Sequence, residues 1–192
     1  MTNQPLQDTY MIRKKVFKLF GEAFHIYDAA GNVVFYSKLK AFKLKEDIRL
    51  YTGEDMRTEV LTIKARNIID FSAAYDVVDA LTGEKAGALK RKGLKSLLQD
   101  EWIILDPDDR EIGSIREDSL LLALLRRFAT GLIPQGFTVD VGGKTVATFK
   151  RLFNPFILKM TVDFSLDPAR LLDRRLGLAG AILLSAVEGR QN

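Results

Sequence analysis

The chain has 192 residues, of which 47% are apolar and 28% are charged, a composition typical of a folded globular protein. Its formal net charge of +4 is far from the dense basic stripe of a nucleic-acid-binding domain, and the absence of cysteine excludes disulfides and thiolate metal sites. No linker divides the chain, so we expect a single domain over 1–192, with about eight flexible residues at its start. The first residues lack the basic-then-apolar order of a signal peptide, which predicts a cytoplasmic protein.

The first third of the chain has the pattern of antiparallel strands. Residues 10–20 form a basic run compatible with a strand, and residues 24–37 (FHIYDAAGNVVFYS) place two aromatic and β-branched runs around a turn at Asp28. From 41 to 50 apolar and charged residues alternate, which predicts a strand with one face in water. A further strand is predicted over 60–66.

A weak internal repeat extends this pattern through the chain. Four places share an aromatic residue, a hydrophobic strand, an aspartate and a turn: Phe24 to Asp28, Tyr75 to Asp79, Trp102 to Asp106, and Phe137 to Asp140. The spacing is too uneven for a solenoid or a propeller. Repeated hairpins favour a meandering antiparallel sheet, and closure into a barrel would remove its edges. The predicted fold class is therefore mainly β (α+β), with further strands over 144–151 and 156–164.

One helix is predicted within the β pattern, near residues 119–130 (SLLLALLRRFAT). The stretch is rich in leucine, lacks β-branched residues until its end, and runs into Gly131 as a stop signal. Its leucines either pack on the core or enter lipid as an interfacial helix, with Arg126 and Arg127 holding lipid headgroups.

The C-terminal stretch 176–187 (LGLAGAILLSAV) carries no charge, and Ser185 is its only polar side chain. Asp167 and Pro168 have the chemistry of a helix start. A helix that is apolar on every side must be enclosed by protein or lipid, and about 18 Å of uncharged helix is too short for a bilayer core of about 30 Å. We therefore predict an antiparallel closed β-barrel around a buried C-terminal helix, with these core side chains: Leu176, Leu178, Ile182, Leu183 and Val187.

This order of hairpins and terminal helix resembles the tubby-like superfamily, in particular the LURP-one-related proteins and the phospholipid scramblases. The resemblance is carried by YDVVDALTGEKAGALKRK (75–92), WIILDPDDREIGSIRED (102–118) and MTVDFSLDPARLLDRRLGLAGAILLSAV (160–187), and it covers nearly the whole chain. It implies about a dozen strands closed around a hydrophobic helix. It also implies binding at membranes rather than catalysis, because tubby domains read phosphoinositides and scramblases are linked to phospholipid movement and calcium.

The resemblance also directs attention to three acidic residues. Scramblases have a calcium-associated acidic segment before the terminal helix, where this chain has Asp163, Asp167 and Asp173. These aspartates lack the alternating oxygen ligands of a dedicated calcium loop, so they are weak calcium candidates and we predict neither a metal site nor a cofactor. The cysteine-rich and proline-rich segments of many scramblases are also missing, which argues against autonomous membrane anchoring.

The basic residues are the candidates for binding anionic lipid headgroups, and they cluster in two places. The candidates are Lys90, Arg91, Lys92, Lys95, Arg126 and Arg127. A solvated face and contact with an anionic membrane surface are both compatible with such clusters. RNA is a weaker alternative, because no aromatic platform accompanies the basic residues.

No catalytic constellation is evident in the sequence. His25 is the only histidine, and neither a nucleophile motif nor HExxH accompanies it, so we interpret it as structural. The predicted function is a non-catalytic binding module for phospholipid membranes or anionic headgroups, which would make it a peripheral membrane protein. A small-ligand-binding barrel and a protein-interaction domain are the alternatives, and an internal polar pocket would favour the former.

Overall fold

Twelve antiparallel strands follow one another around a closed barrel. The computed structural model describes residues 6–17, 21–39, 47–66, 74–92, 101–118, 135–152 and 157–188. The strands are β1 (Thr9–Phe17), β2 (Gly21–Tyr27), β3 (Val33–Leu39), β4 (Asp47–Tyr51), β5 (Glu59–Ala65), β6 (Ala74–Asp79), β7 (Lys85–Arg91), β8 (Glu101–Leu105), β9 (Glu111–Glu117), β10 (Gly136–Val141), β11 (Lys144–Leu152) and β12 (Leu158–Asp163). Each pairs with its sequence neighbours, and β1 also pairs with β12. The predicted closed antiparallel barrel is confirmed.

The meander gives the barrel two different ends. At the hairpin end, each even-numbered strand turns into the next odd-numbered strand, through residues 28–32, 52–58, 80–84, 106–110 and 142–143. Residues 164–173, which we call the linking segment, lead from β12 to the C-terminal helix at this same end. At the opposite end the odd-numbered strands finish, and the segments that follow them lie outside the described residues. The helix predicted near 119–130 is in one of those segments.

Alternation along the strands sends apolar side chains into the barrel. Ile48 and Leu50 are buried and Arg49 between them is exposed, which is the arrangement predicted for this strand. Leu61 and Ile63 are buried in the same way, and Ile48 lies opposite Ile63 in the β4–β5 register. The core is therefore built from one face of each strand.

The repeated aspartates hold the hairpin turns together. Asp28 accepts a hydrogen bond from the Asn32 N–H at 2.7 Å, and Asp106 accepts bonds from the Asp108 and Arg110 N–H groups, both at 2.9 Å. Such local capping fixes a turn without help from the rest of the barrel. These bonds, the one from the Arg110 N–H above all, also hold the pKa of Asp106 below its ordinary value.

The helix α1 (Arg174–Glu188) runs from the hairpin end into the barrel, and its residues from Leu176 to Ala186 are buried, as predicted. Four of the five predicted core side chains are 1% exposed or less, namely Leu176, Leu178, Ile182 and Leu183. The fifth, Val187, belongs to α1 but lies beyond Ala186, the last helix side chain that the structure describes. In the described parts of the chain no helix combines the length and the apolar character needed to cross a bilayer.

The predicted start of α1 at Asp167 is wrong by two turns. Asp173 is the N-cap, since its carbonyl accepts from the Gly177 N–H at 3.1 Å and its side chain accepts from the Arg175 N–H at 2.8 Å. Asp167 instead accepts from the Leu171 N–H at 2.8 Å inside the linking segment. Both aspartates have capping chemistry, and the second is the one that begins the helix.

Small residues let α1 approach the barrel wall closely. A Cβ on Gly177 would lie 2.3 Å from the Phe164 ring, and one on Gly180 would lie 2.5 Å from the Ile115 side chain. The helix packs most closely on β6, β7 and β12. Side chains alone can fill the interior of an eight-stranded barrel, but a twelve-stranded barrel is wider. In this protein α1 occupies one side of the wider interior. The position of α1 leaves the mouth of the barrel incompletely filled toward β3, β4 and β5.

Candidate functional site

A cavity of about 890 Å³ opens at the hairpin end of the barrel, beside the first turns of α1. We call it the mouth cavity. Its floor consists of buried core side chains that α1, the linking segment and the strands β3, β4 and β5 contribute, namely Phe35, Leu50, Leu61, Leu172, Leu176 and Leu178. A cavity of this volume with an apolar floor is typical of a site for a small molecule.

The rim of the mouth cavity exposes large apolar side chains. Leu81 in the β6–β7 turn and Leu171 in the linking segment both line the cavity and are 60% and 48% exposed. Among the described residues, six large apolar side chains are exposed, and five of them lie at the hairpin end: Val33, Met56, Leu81, Leu166 and Leu171. This concentration of exposed apolar side chains marks the hairpin end as a candidate contact surface.

A buried ion pair holds the linking segment over the mouth cavity. Arg174 and Asp167 are 4% and 1% exposed, and their side chains are 2.7 Å apart. The guanidinium also donates to the Asp167 carbonyl at 2.9 Å and pairs with Asp8 at 3.0 Å, while it lies 4.8 Å from the centre of the Phe164 ring. These contacts join the start of β1, the end of β12 and the start of α1, so they fix the shape of the cavity mouth.

The charge of Asp167 is stabilised by its surroundings. Burial opposes its ionisation, but bonds from the Leu172 and Leu171 N–H groups and from Arg174 outweigh burial and hold the pKa of Asp167 below its ordinary value. Asp167 therefore remains a carboxylate throughout the neutral range.

A second arginine organises the acidic side of the rim. Arg175 lies 2.7 Å from Asp173, 3.2 Å from Asp79 and 3.4 Å from Glu84, so one guanidinium serves three carboxylates. Burial of Asp79 would raise its pKa, but bonds from the turn N–H groups and from Arg175 lower it overall. The rim is thus negatively charged where the β6–β7 turn meets α1.

The far end of α1 is held by a lysine inside the barrel. Lys14 is 2% exposed, its Nζ lies 2.7 Å from a Glu22 carboxylate oxygen, and it donates to the Ser185 carbonyl at 3.2 Å. A cation at this position offsets the negative end of the helix dipole. Sequence reasoning missed this contact, although the alternation that buries Tyr10 and Ile12 also directs Lys14 inward.

Three of the predicted headgroup-binding residues, Lys90, Arg91 and Lys92, lie within the described part of the chain. Lys90 and Lys92 are exposed, whereas Arg91 lies opposite the buried Trp102 in the β7–β8 register and so shares its face of the sheet. Lys92 also pairs with Glu101 at 3.0 Å. The other three candidates, Lys95, Arg126 and Arg127, lie outside the described residues.

Exposed lysines nevertheless mark the opposite end of the barrel. They lie at or near the ends of β1, β3, β5, β7 and β11, and they are Lys15, Lys38, Lys64, Lys90, Lys92 and Lys150. These lysines and the mouth cavity are therefore at different ends of the protein.

The three calcium candidates serve separate purposes. Asp163 accepts from the Ser165 N–H at 2.8 Å, Asp167 is bound to Arg174, and Asp173 caps α1. Within the described part of the chain, no group of three or more histidines, aspartates or glutamates is arranged to hold a metal ion.

His25 lies on the outer side of β2 beneath the β4–β5 turn. Its Nε2 is 2.9 Å from a carboxylate oxygen of Glu54, and its ring is 5.1 Å from the ring of Tyr36. The contact pins the turn to the barrel wall, which agrees with a structural interpretation of His25.

Comparison with known proteins adds information on the fold. No protein-family model matches the chain, and no curated protein matches its sequence. A crystal structure of a protein from Arabidopsis thaliana is similar to this chain with a TM-score of 0.51 and 16% identity, over 95% of this chain and 92% of that one. At this identity the similarity shows a shared barrel-and-helix fold, while the resemblance to the tubby-like superfamily stays a prediction.

The buried pair in the linking segment should make the stability of the protein depend on pH. Asp167→Asn removes one partner of a buried pair, so we expect a loss of about 3 kcal/mol in the free energy of unfolding at pH 7. Because the folded-state pKa of Asp167 is lowered, its contribution is present above its unfolded pKa of about 4 and is lost as the pH falls through the folded value. Urea unfolding from pH 7 to pH 3 should therefore show the variant and the parent converging.

Asp163→Asn is the matched control, because Asp163 is only half-buried in the same region and caps a single N–H group. Its cost should be about 1 kcal/mol or less. Equal losses for the two variants, or a loss for Asp167→Asn that does not change with pH, would contradict this account of the segment.

Proposed function

We propose that the protein is a non-catalytic binding module for an amphiphilic small ligand, which it takes into the mouth cavity. The observation that carries the proposal is the cavity itself, with an apolar floor and two half-exposed leucines, Leu81 and Leu171, at its rim. A small-ligand-binding barrel was one of the alternatives that the sequence allowed, and an internal polar pocket was expected to favour it. The cavity instead has an apolar floor and charged side chains around its rim, which suits a molecule with an apolar chain and a polar head.

The free energy gained by burying an alkyl chain in the cavity is sufficient for binding. Burial of a methylene group stabilises by about 0.8 kcal/mol, so a chain of about ten methylenes gains about 8 kcal/mol. Loss of motional freedom on association costs at least about 4 kcal/mol. The remainder corresponds to a dissociation constant in the millimolar range, and tighter where rim contacts add to it.

The side chains near His25 support the non-catalytic part of the proposal. Histidine is a common general base in enzymes, but the hydrogen-bond partner of His25 among the described residues is Glu54, and Tyr27 and Tyr36 flank its ring. It lies outside the mouth cavity.

The cavity can be tested by filling it. Val60 lines the cavity and is half-buried, so Val60→Trp should place an indole in the ligand's space and weaken binding of the neutral probe N-phenyl-1-naphthylamine at least tenfold. The measurement is fluorescence titration of the probe. Val33→Trp is the matched control, because Val33 is an exposed strand residue at the same end and does not line the cavity.

The parent protein and the control should bind the probe within twofold of each other. Thermal melts of all three proteins establish that each is folded. The proposal fails if the folded parent does not bind the probe, or if Val60→Trp binds as well as Val33→Trp.

A second function, contact with an anionic membrane surface, is favoured by the exposed lysines at the opposite end. The resemblance to lipid-associated families and a cytoplasmic location would fit this role. Each lysine close to an anionic bilayer contributes about 1 kcal/mol. Such contact would direct the mouth cavity away from the membrane, because the two lie at opposite ends of the barrel.

Sedimentation with vesicles tests this second function. Replacement of Lys15, Lys38 and Lys90 by Gln should release the protein from vesicles that contain phosphatidylserine, at low salt. Replacement of Arg57 and Lys144, which are exposed at the hairpin end, should leave binding unchanged. Membrane contact through the lysines is refuted if the parent does not sediment with these vesicles or if the triple variant sediments equally well.

A further inference from the structure

The hairpin end of the barrel has a surplus of carboxylates although the whole chain is basic. The five hairpin turns and the linking segment contain nine carboxylates and three arginines, whereas the chain has a formal net charge of +4. Four cations of the adjoining elements, Arg66, Lys85, Arg174 and Arg175, pair with some of these carboxylates and reduce the surplus without removing it. The carboxylates are Asp28, Glu54, Asp55, Glu84, Asp106, Asp108, Asp109, Asp167 and Asp173. The field at the entrance of the mouth cavity is therefore negative, and it attracts cations and repels anions.

The charges that line the cavity are also negative on balance, with four carboxylates and three arginines. Four carboxylates line it, and they are Asp79, Glu84, Asp106 and Asp173. Two of the three lining arginines already have ion-pair partners within the protein. Arg174 is buried against Asp167, and Arg175 pairs with three of the four lining carboxylates. Glu84 is the most open of Arg175's partners, with its side chain 63% exposed at 3.4 Å. Its carboxylate is available to a cation that arrives from solvent.

Among the described arginines that line the cavity, Arg170 is the one that no carboxylate pairs with. It lines the cavity, it is exposed, and it forms no ion pair with another described residue. It belongs to the part of the rim near Tyr10, on whose ionisation its charge acts. A single solvated guanidinium is outweighed by the surplus of carboxylates in the surrounding turns.

From the apolar floor and the acidic rim we infer that the ligand is a cationic amphiphile, an alkyl chain that ends in an ammonium group. The inference rests on the proposed function, and it specifies the ligand class for the same cavity. The chain would cover Leu81 and Leu171 and contact the floor, while the ammonium group would lie beside Glu84. The alkyl chain then contacts apolar side chains and the ammonium group contacts a carboxylate, while the buried pair of Arg174 and Asp167 stays intact.

Three amphiphiles with the same twelve-carbon chain test the inference, each below its micelle concentration. They are dodecyltrimethylammonium, the neutral octaethylene glycol dodecyl ether and the anion laurate, and each displaces N-phenyl-1-naphthylamine from the protein. In 10 mM salt the cation should bind about tenfold tighter than the neutral ether, and laurate should bind weakest. In 0.5 M salt the difference between cation and ether should shrink severalfold, because salt screens the rim charges.

Two variants assign the preference to the rim. Glu84→Gln should weaken binding of the cation about threefold to fivefold and leave the ether unchanged, whereas Arg170→Gln should strengthen binding of the cation. Glu101→Gln, which removes the same charge from the opposite end, should change neither.

The outcomes separate the inference from the proposed function. If laurate binds tightest and Arg170→Gln weakens it, or if all three amphiphiles bind equally at low salt, the cationic class is wrong and the apolar cavity still stands as a binding site. If none of the three displaces the probe from the folded parent, the inference and the proposed function both fail.

Discussion

The rest of the structure depends on the ion pair between Arg174 and Asp167, because it fixes the first residue of α1 to the linking segment at the hairpin end of the barrel. Two buried charges are tolerated only when each is fully bonded. Asp167 accepts from two backbone N–H groups and from Arg174, and Arg174 in turn bonds main-chain carbonyls and Asp8. At the other end of α1, Lys14 satisfies the Ser185 carbonyl. With both ends secured, the uncharged part of the helix from Leu176 to Ala186 can lie in the core.

The arrangement of the barrel could be predicted from the sequence because the relevant signals are local. Alternation through Ile48 and Leu50 defines an inner face, and Asp28 and Asp106 mark turns that they cap themselves. The start of α1 was harder to predict, since Asp167 and Asp173 have the same capping chemistry. The choice between them follows from contacts across the fold, such as the packing of Phe164 on Gly177.

The mouth cavity could not be predicted, because no segment of the chain contains it. Phe35, Leu50 and Leu176 are ordinary core residues in their own elements, and the cavity results from the width of a twelve-stranded barrel and the position of α1 beside β6, β7 and β12. The run from Lys90 to Lys92 is contiguous in sequence, but strand geometry places Arg91 on the other face of the sheet from its neighbours.

The central claim is that the space between the floor of the mouth cavity and its leucine rim accommodates an alkyl chain. A crystal structure of the protein grown with dodecyltrimethylammonium tests this directly. The account predicts electron density for the chain between Leu81 and Leu171, over Leu176, with the ammonium group toward Glu84. An empty cavity at a saturating concentration, or an ordered amphiphile bound at another place on the barrel, would contradict it.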